Sequence, residues 1–129
     1  MIIYLLYNRY IPYLAIYFIF FCCISYKALA TSKIYLIMGG SGNQKILNET
    51  FYLDPAMVYV NNDPKSSCKK SCEISTSPYK VELNFEDGIN STENMFYGLD
   101  NIIEADLSQF DASKVTSMNS MFKDCGNLK

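Results

Sequence analysis

Histidine and tryptophan are both absent from this 129-residue chain. Without histidine the commonest general base and the commonest metal ligand are missing, and many enzyme mechanisms lose their usual player. Basic runs are missing too. The chain has 11 basic and 13 acidic residues, a net charge of −2. No clustered basic face of the kind that holds nucleic acid is present, so no nucleic-acid partner is expected. The length allows one modest domain. No catalytic residue, cofactor or metal site is expected, and the chain does not read as an enzyme.

Apolar residues are plentiful but unevenly placed. "MIIYLLYNRYIPYLAIYFIFFCCISYKALA" has a single early cation, Arg9, and a dense apolar run from Tyr13 to Ile24. It closes on Ala28-Leu29-Ala30, a small-x-small site of the kind signal peptidase cuts. This three-part pattern predicts a secretory signal cleaved after Ala30. The alternative is an uncleaved anchor, because Ile2 to Ser25 approaches the roughly 20 apolar residues that span a bilayer. In that case the N-terminal segment holds the chain to the membrane. Arg9 and Pro12 interrupt the run and favour cleavage. On either reading the rest of the chain leaves the cytosol. Only Arg9 and Lys27 of the basic residues lie in the leader, so the remainder has 9 basic and 13 acidic residues, a net charge of −4. Two Asn-x-Ser/Thr sequons follow, at Asn48 and Asn90, and are candidate N-glycosylation sites on exposed loops.

Cys22 and Cys23 belong to the leader, leaving Cys68, Cys72 and Cys125. "CKKSC" brings Cys68 and Cys72 close enough for a local disulfide if the stretch turns, and an oxidising compartment favours one. Free or intermolecular thiols are the alternative. Zinc would want four ligands, and histidine is missing.

Strand signals follow the leader. "KIYLIM" (Lys33 to Met38) is apolar and ends on the turn "GGSG"; "QKIL" starts a second strand. "AMVYV" (Ala56 to Val60) is closed by the turn "NNDP". "YKVELNF" alternates, with Tyr79, Val81, Leu83 and Phe85 on one face. "GGSGNQK" lacks the Gly-Lys-Ser/Thr ending of a phosphate-binding loop. "NIIEADLSQF" predicts a further strand, with Ile103, Ala105 and Leu107 on one face. Glu104, Asp106 and Ser108 share the other. Paired carboxylates can do acid–base work or bind a cation; a solvated outward face is the plainer reading. Next, "DASK" offers a helix cap at Asp111 or Ser113, and Val115, Met118, Phe122 and Cys125 recur at near-helical spacing.

The phrase "MFYGLDNI" at Met95 returns as "MFKDCGNL" at Met121. Each unit has an apolar face that stacked copies bury. Leu99 falls where Cys125 falls in the next copy, which reads Cys125 as a buried small hydrophobe. "ADLSQFDASKVTSMNSMFKDCGNL" closely resembles the 26-residue repeat of BspA-like leucine-rich-repeat surface proteins. Their pattern runs Leu-Asp-Leu-Ser-x-Phe-Asp-Thr-Ser-x-Val-Thr-Asn-Met-x-x-Met-Phe-x-x-Cys-x-x-Leu. The likeness covers about Glu93 to Lys129, under a third of the chain. Ala105, Ala112 and Ser117 depart from it, and Tyr97-Gly98-Leu99 replaces x-x-Cys in the first copy. The β segment before it is loosely similar to the domain that precedes such repeats.

The expected fold is therefore α+β: a hydrophobic N-terminal helix (1–30), a small antiparallel β segment (31–92), and the start of a leucine-rich-repeat solenoid of strand and short helix (93–129). With one full unit and part of another, against the roughly three that stability needs, the chain reads as a piece of a longer product. The resemblance implies an exported, non-catalytic surface protein that serves in adhesion or ligand binding through its open strand face. Glu104, Asp106 and Ser108 would face an extracellular protein or glycan. The alternative is a membrane-anchored surface-coat component without a specific ligand.

Overall fold

Strict alternation builds the first strand. In the computed structural model, which describes residues 32–86 and 88–129, strand β1 (Ser32–Met38) buries Ser32, Ile34, Leu36 and Met38. It leaves Lys33, Tyr35 and Ile37 half-buried on the other face. The leader and its cleavage site after Ala30 lie outside the described residues. Ribbon β2 (Gly42–Lys45) pairs antiparallel with β5 (Ser71–Ile74). Strand β3 (Met57–Val60) turns back into β4 (Asp63–Pro64) through Asn61 and Asn62. Both asparagines have positive φ, 50° and 70°, a conformation that asparagine tolerates better than most residues. Strand β6 (Tyr79–Phe85) repeats the alternation of β1, and β7 (Ile102–Asp106) completes the set.

The larger sheet runs β4-β3-β6-β1-β7, with every pair antiparallel. Ile34 opposes Leu83 and Leu36 opposes Val81, so the buried residues of neighbouring strands stand in rows on one face. That face packs under the β2–β5 ribbon, the segment around Ile46, Leu47 and Phe51, and the start of the repeat. One cluster runs from Ile34 through Ile74 and Phe85 to Phe96, Ile102 and Met121.

The α+β expectation is overturned. The described residues are all-β and hold no helix, and their sheets are antiparallel. The reason lies in the backbone of the repeat. Met95, Tyr97 and Leu99 N–H groups bond to the carbonyls three residues back, at Thr92, Asn94 and Phe96. The intervening N–H groups of Thr92, Asn94, Phe96 and Gly98 point out of the unit. They bond to the carbonyls of Ser117, Asn119, Met121 and Lys123. A helix would send every N–H to the residue four back. Here alternate groups leave the unit, and the right-handed path is broken at Asn94 (φ 56°) and Gly98 (φ 71°). The second unit copies this with Ser120 (φ 56°) and Asp124 (φ 59°). The near-helical spacing of Val115, Met118, Phe122 and Cys125, in steps of three, four and three, falls on a run of overlapping turns whose bonds each span three residues and begin at Met118, Ser120 and Phe122. Among the described residues no strand–helix leucine-rich repeat is present.

The units nevertheless stack. Ser91 forms a parallel bridge with Ser117, Thr116 N–H bonds to the Asn90 carbonyl, and Lys129 N–H bonds to that of Ile103. Phe96 and Phe122 lie face to face, ring centroids 5.2 Å apart at 17°. Cys125 Sγ–H donates to the Phe96 carbonyl at 3.0 Å.

Candidate binding face

With one face of the larger sheet consumed by the core, its other face is what the fold offers. Register places Tyr59 beside Glu82, Glu82 beside Tyr35, and Tyr35 beside Asp106, in one row across β3, β6, β1 and β7. The next row carries Lys80, Ile37 and Glu104. Sequence alternation sends these side chains outward together because their partners on the same strands are buried. Between them lies an open groove of about 530 Å³, lined by Tyr35, Ile37, Lys80, Glu82, Glu104, Asp106 and Gln109, among others.

Charge is ordered along this groove. Lys33 Nζ and Glu82 Oε1 are 3.0 Å apart, and the hydrogen bond and charge of Glu82 hold the Lys33 ammonium above its ordinary pKa. Lys80 Nζ stands 4.6 Å from the centre of the Tyr35 ring, a cation–π distance. The Tyr35 hydroxyl donates to Gln109 Oε1 at 3.4 Å. Asp106 Oδ1 accepts the Ser108 N–H at 2.8 Å. That bond, then the Ser108 hydroxyl and the Lys80 charge, holds the carboxyl below the ordinary carboxylate range. Asp106 is therefore ionised at neutral pH. Glu104 is exposed and makes no ion pair among the described residues.

Of the ligand-facing residues expected from sequence, Glu104 and Asp106 line the groove. Ser108 does not; it lies past the end of β7 and fixes the Asp106 carboxylate. Tyr35, Lys80, Glu82 and Gln109 were missed. They come from β1, from β6 and from beyond β7, and only the pairing of distant strands brings them together. The sequence signal for the first three was the outward half of each alternating strand.

The remaining candidates lie elsewhere. Cys68 and Cys72 form a disulfide with Cα atoms 4.9 Å apart, and both are buried. It closes the loop that leads into β5, where Lys70 Nζ reaches the carbonyls of Phe51 and Leu53 and the Asp54 carboxylate. Asn48 is engaged on every side. Its N–H bonds to the Met95 carbonyl and its Nδ2 donates to the Tyr97 carbonyl at 2.8 Å. Its Oδ1 accepts the Thr50 N–H at 2.8 Å and the Thr50 hydroxyl at 2.7 Å. Asn90 is exposed, and its Oδ1 accepts the Tyr52 hydroxyl at 2.8 Å. The folded chain therefore presents the Asn90 amide nitrogen and withholds that of Asn48. Among the described residues no three His, Cys, Asp or Glu side chains gather closely enough to hold a metal ion, and no helix is long and apolar enough to cross a membrane.

Comparison with known proteins adds one finding. Residues 79–129, which run from β6 through both repeat units, match a family described as "Mycoplasma protein of unknown function, DUF285". The match spans less than half of the chain. No curated protein and no solved structure matches. For the stretch from Tyr79 onward the match supports a surface-associated family of unknown function, and it assigns neither ligand nor activity.

Proposed function

We propose that this chain is an exported, surface-associated, non-catalytic protein that binds an extracellular protein or glycan on the outward face of its larger sheet. One observation carries the reading. The inner face is spent on the core, while the outer face gathers aromatic, cationic and acidic groups from three strands, and the Gln109 amide from the segment after β7, around one open groove. Half-buried tyrosine with carboxylate and amide neighbours suits hydroxyl-rich or cationic polar ligands. A catalytic role for the Glu104–Asp106 pair is disfavoured. Asp106 is held ionised by Ser108, which removes it as a proton donor at neutral pH, and the groove is open to water that an acid–base site usually excludes. The leader, the net negative charge of the rest of the chain, and the resemblance of its repeat to BspA-like surface proteins support export.

The test has two arms. Protease treatment of intact cells should remove the chain, and N-terminal sequencing should find a start at Thr31. The purified protein, applied to a glycan array and a panel of extracellular-matrix proteins, should bind at least one class. The double variant Glu104→Lys/Asp106→Lys should lose that binding while the chain stays folded at the assay temperature, as read by circular dichroism. Binding that survives the double variant contradicts the assigned face.

A further inference from the structure

Two strands of the outer face carry unlike charge across a third. Lys80 on β6 and Glu104 on β7 stand in one row with Ile37 of β1 between them, and the neighbouring row sets Tyr35 between Glu82 and Asp106. Paired strands lie about 4.8 Å apart, so the β6 and β7 walls of the groove stand about 10 Å apart at the backbone. Glu82 is paired with Lys33 at 3.0 Å. Glu104 and Asp106 make no ion pair among the described residues. Neither does Lys80. Its ammonium lies over the Tyr35 ring, 4.6 Å from the centre and outside ion-pair distance of either carboxylate. The groove therefore sets two unpaired carboxylates against one cation. Its aromatic floor is a cation seat that the chain's own lysine occupies.

We infer that the ligand of this groove is an extended polypeptide segment with two arginines two positions apart, and that one of them takes the Tyr35 ring from Lys80. The inference names the ligand's chemistry within the binding-face reading and rests on that reading. Charge complementarity selects a cation, because a neutral or acidic glycan has nothing to match the two carboxylates. Spacing selects the pattern. Glu104 and Asp106 point the same way from one strand, about 7 Å apart, and alternate residues of an extended ligand chain have the same separation. One guanidinium then lies over Tyr35 beside Asp106, and the other over Ile37 beside Glu104. Arginine suits the seat better than lysine. Its planar guanidinium stacks on an aromatic face, meets a carboxylate through parallel N–H donors, and is more weakly hydrated than the ammonium it displaces. A peptide also fits better than a simple diamine. Gln109 accepts the Tyr35 hydroxyl on Oε1, and its Nε2 makes no hydrogen bond among the described residues, so it can donate to a peptide carbonyl. Lys80 thereby acts as a resident competitor that sets how strong a cation must be to enter.

The probe is the peptide acetyl-Ser-Arg-Ser-Arg-Ser-amide, titrated into the isotope-labelled full chain and followed by NMR. Its isomer acetyl-Ser-Arg-Arg-Ser-Ser-amide has the same charge but sends its arginines to opposite sides of an extended chain. The first peptide should bind about two- to fivefold more tightly, the worth of one exposed ion pair. The Lys80 side-chain methylene resonances, shifted by the Tyr35 ring in the free protein, should move toward the position of free lysine as the guanidinium takes the ring. Glu104→Gln and Asp106→Asn should each weaken binding about two- to fivefold, and Lys80→Met should strengthen it by about as much. The inference is overturned if the two isomers bind equally, if Lys80→Met fails to strengthen binding, or if the Lys80 methylenes stay in place. Putrescine binding as tightly as the first peptide overturns it too, and would make the groove a diamine site. A glycan or matrix protein that shifts the groove while both peptides leave it silent overturns the arginine ligand and leaves the binding face standing. A groove silent to every one of these overturns both.

Discussion

Replacing Asn48 should separate two roles that a single amide fills at once. Its Nδ2 donates to the Tyr97 carbonyl of the first repeat unit, while its Oδ1 holds the turn at Thr50. Asn48→Asp keeps the acceptor and removes the donor, and it sets a carboxylate against a carbonyl 2.8 Å away in the present structure. One lost hydrogen bond is worth about 0.5–1.5 kcal/mol, and an unmet partner adds to that. Because Asn48 is half-buried, water relieves part of the cost, and about 1–2 kcal/mol is expected. Asn48→Ala removes the turn bonds as well and should cost about 2–3 kcal/mol by the same count. Urea unfolding of the purified chain measures both, with the loss read from the midpoint at constant slope. A change below about 0.3 kcal/mol in both variants would refute the idea that Asn48 ties the segment after β2 to the repeat. A glycan on Asn48 in the folded protein would refute it too, since the linked nitrogen would lose the geometry of its bond to Tyr97.

Three further outcomes are expected. Phe96→Ala should destabilise by about 3–5 kcal/mol, as for a fully buried aromatic, whereas Phe122→Ala, half-exposed on the outer side of the same stack, should cost clearly less; thermal or urea unfolding compares them. Asp106 and Asp111 are both held below the ordinary carboxylate range by the serine two residues on, Asp106 first by the Ser108 N–H and Asp111 first by the Ser113 hydroxyl and then its N–H. Their stabilising contribution is present above the unfolded carboxylate value and is lost as pH falls through the lower folded value. A pH series of unfolding midpoints should therefore decline at acid pH, and Asp106→Asn with Asp111→Asn should flatten the decline. Burial pushes the Cys125 thiol above its ordinary value, so iodoacetamide labelling followed by mass spectrometry should be slower than for a free thiol at neutral pH and speed up on unfolding.

How much of this was legible in the sequence differs from element to element. Strands β1 and β6 were readable because one face of each is buried, so alternation records the core directly in the residues. The pairing of Cys68 with Cys72 rests on short-range spacing, which sequence displays. Strand β5 was missed: its Cys72 and Ile74 are buried, but the polar Lys- and Ser-rich surroundings read as a turn. The repeat was found by its recurring phrase, and its local structure was misread. Overlapping turns that each span three residues carry apolar side chains at a spacing close to that of a helix. Ser120 and Asp124, which take the positive φ that breaks the helix, are not glycine and gave no warning. The binding face was half visible. Glu104 and Asp106 are neighbours on β7, but Lys80 and Tyr35 lie 45 positions apart in the chain, and only the β1–β6 register unites them.

The most direct test of the binding face is chemical-shift mapping of the labelled protein with the tightest ligand that the glycan and matrix-protein panels yield. The account predicts that shifts concentrate on Tyr35, Ile37, Lys80, Glu82, Glu104, Asp106 and Gln109, and leave the stacked turns, Thr92 to Leu99 and Thr116 to Cys125, unmoved. Shifts centred on the repeat stack or on the β2–β5 ribbon, with the outer face silent, would contradict it.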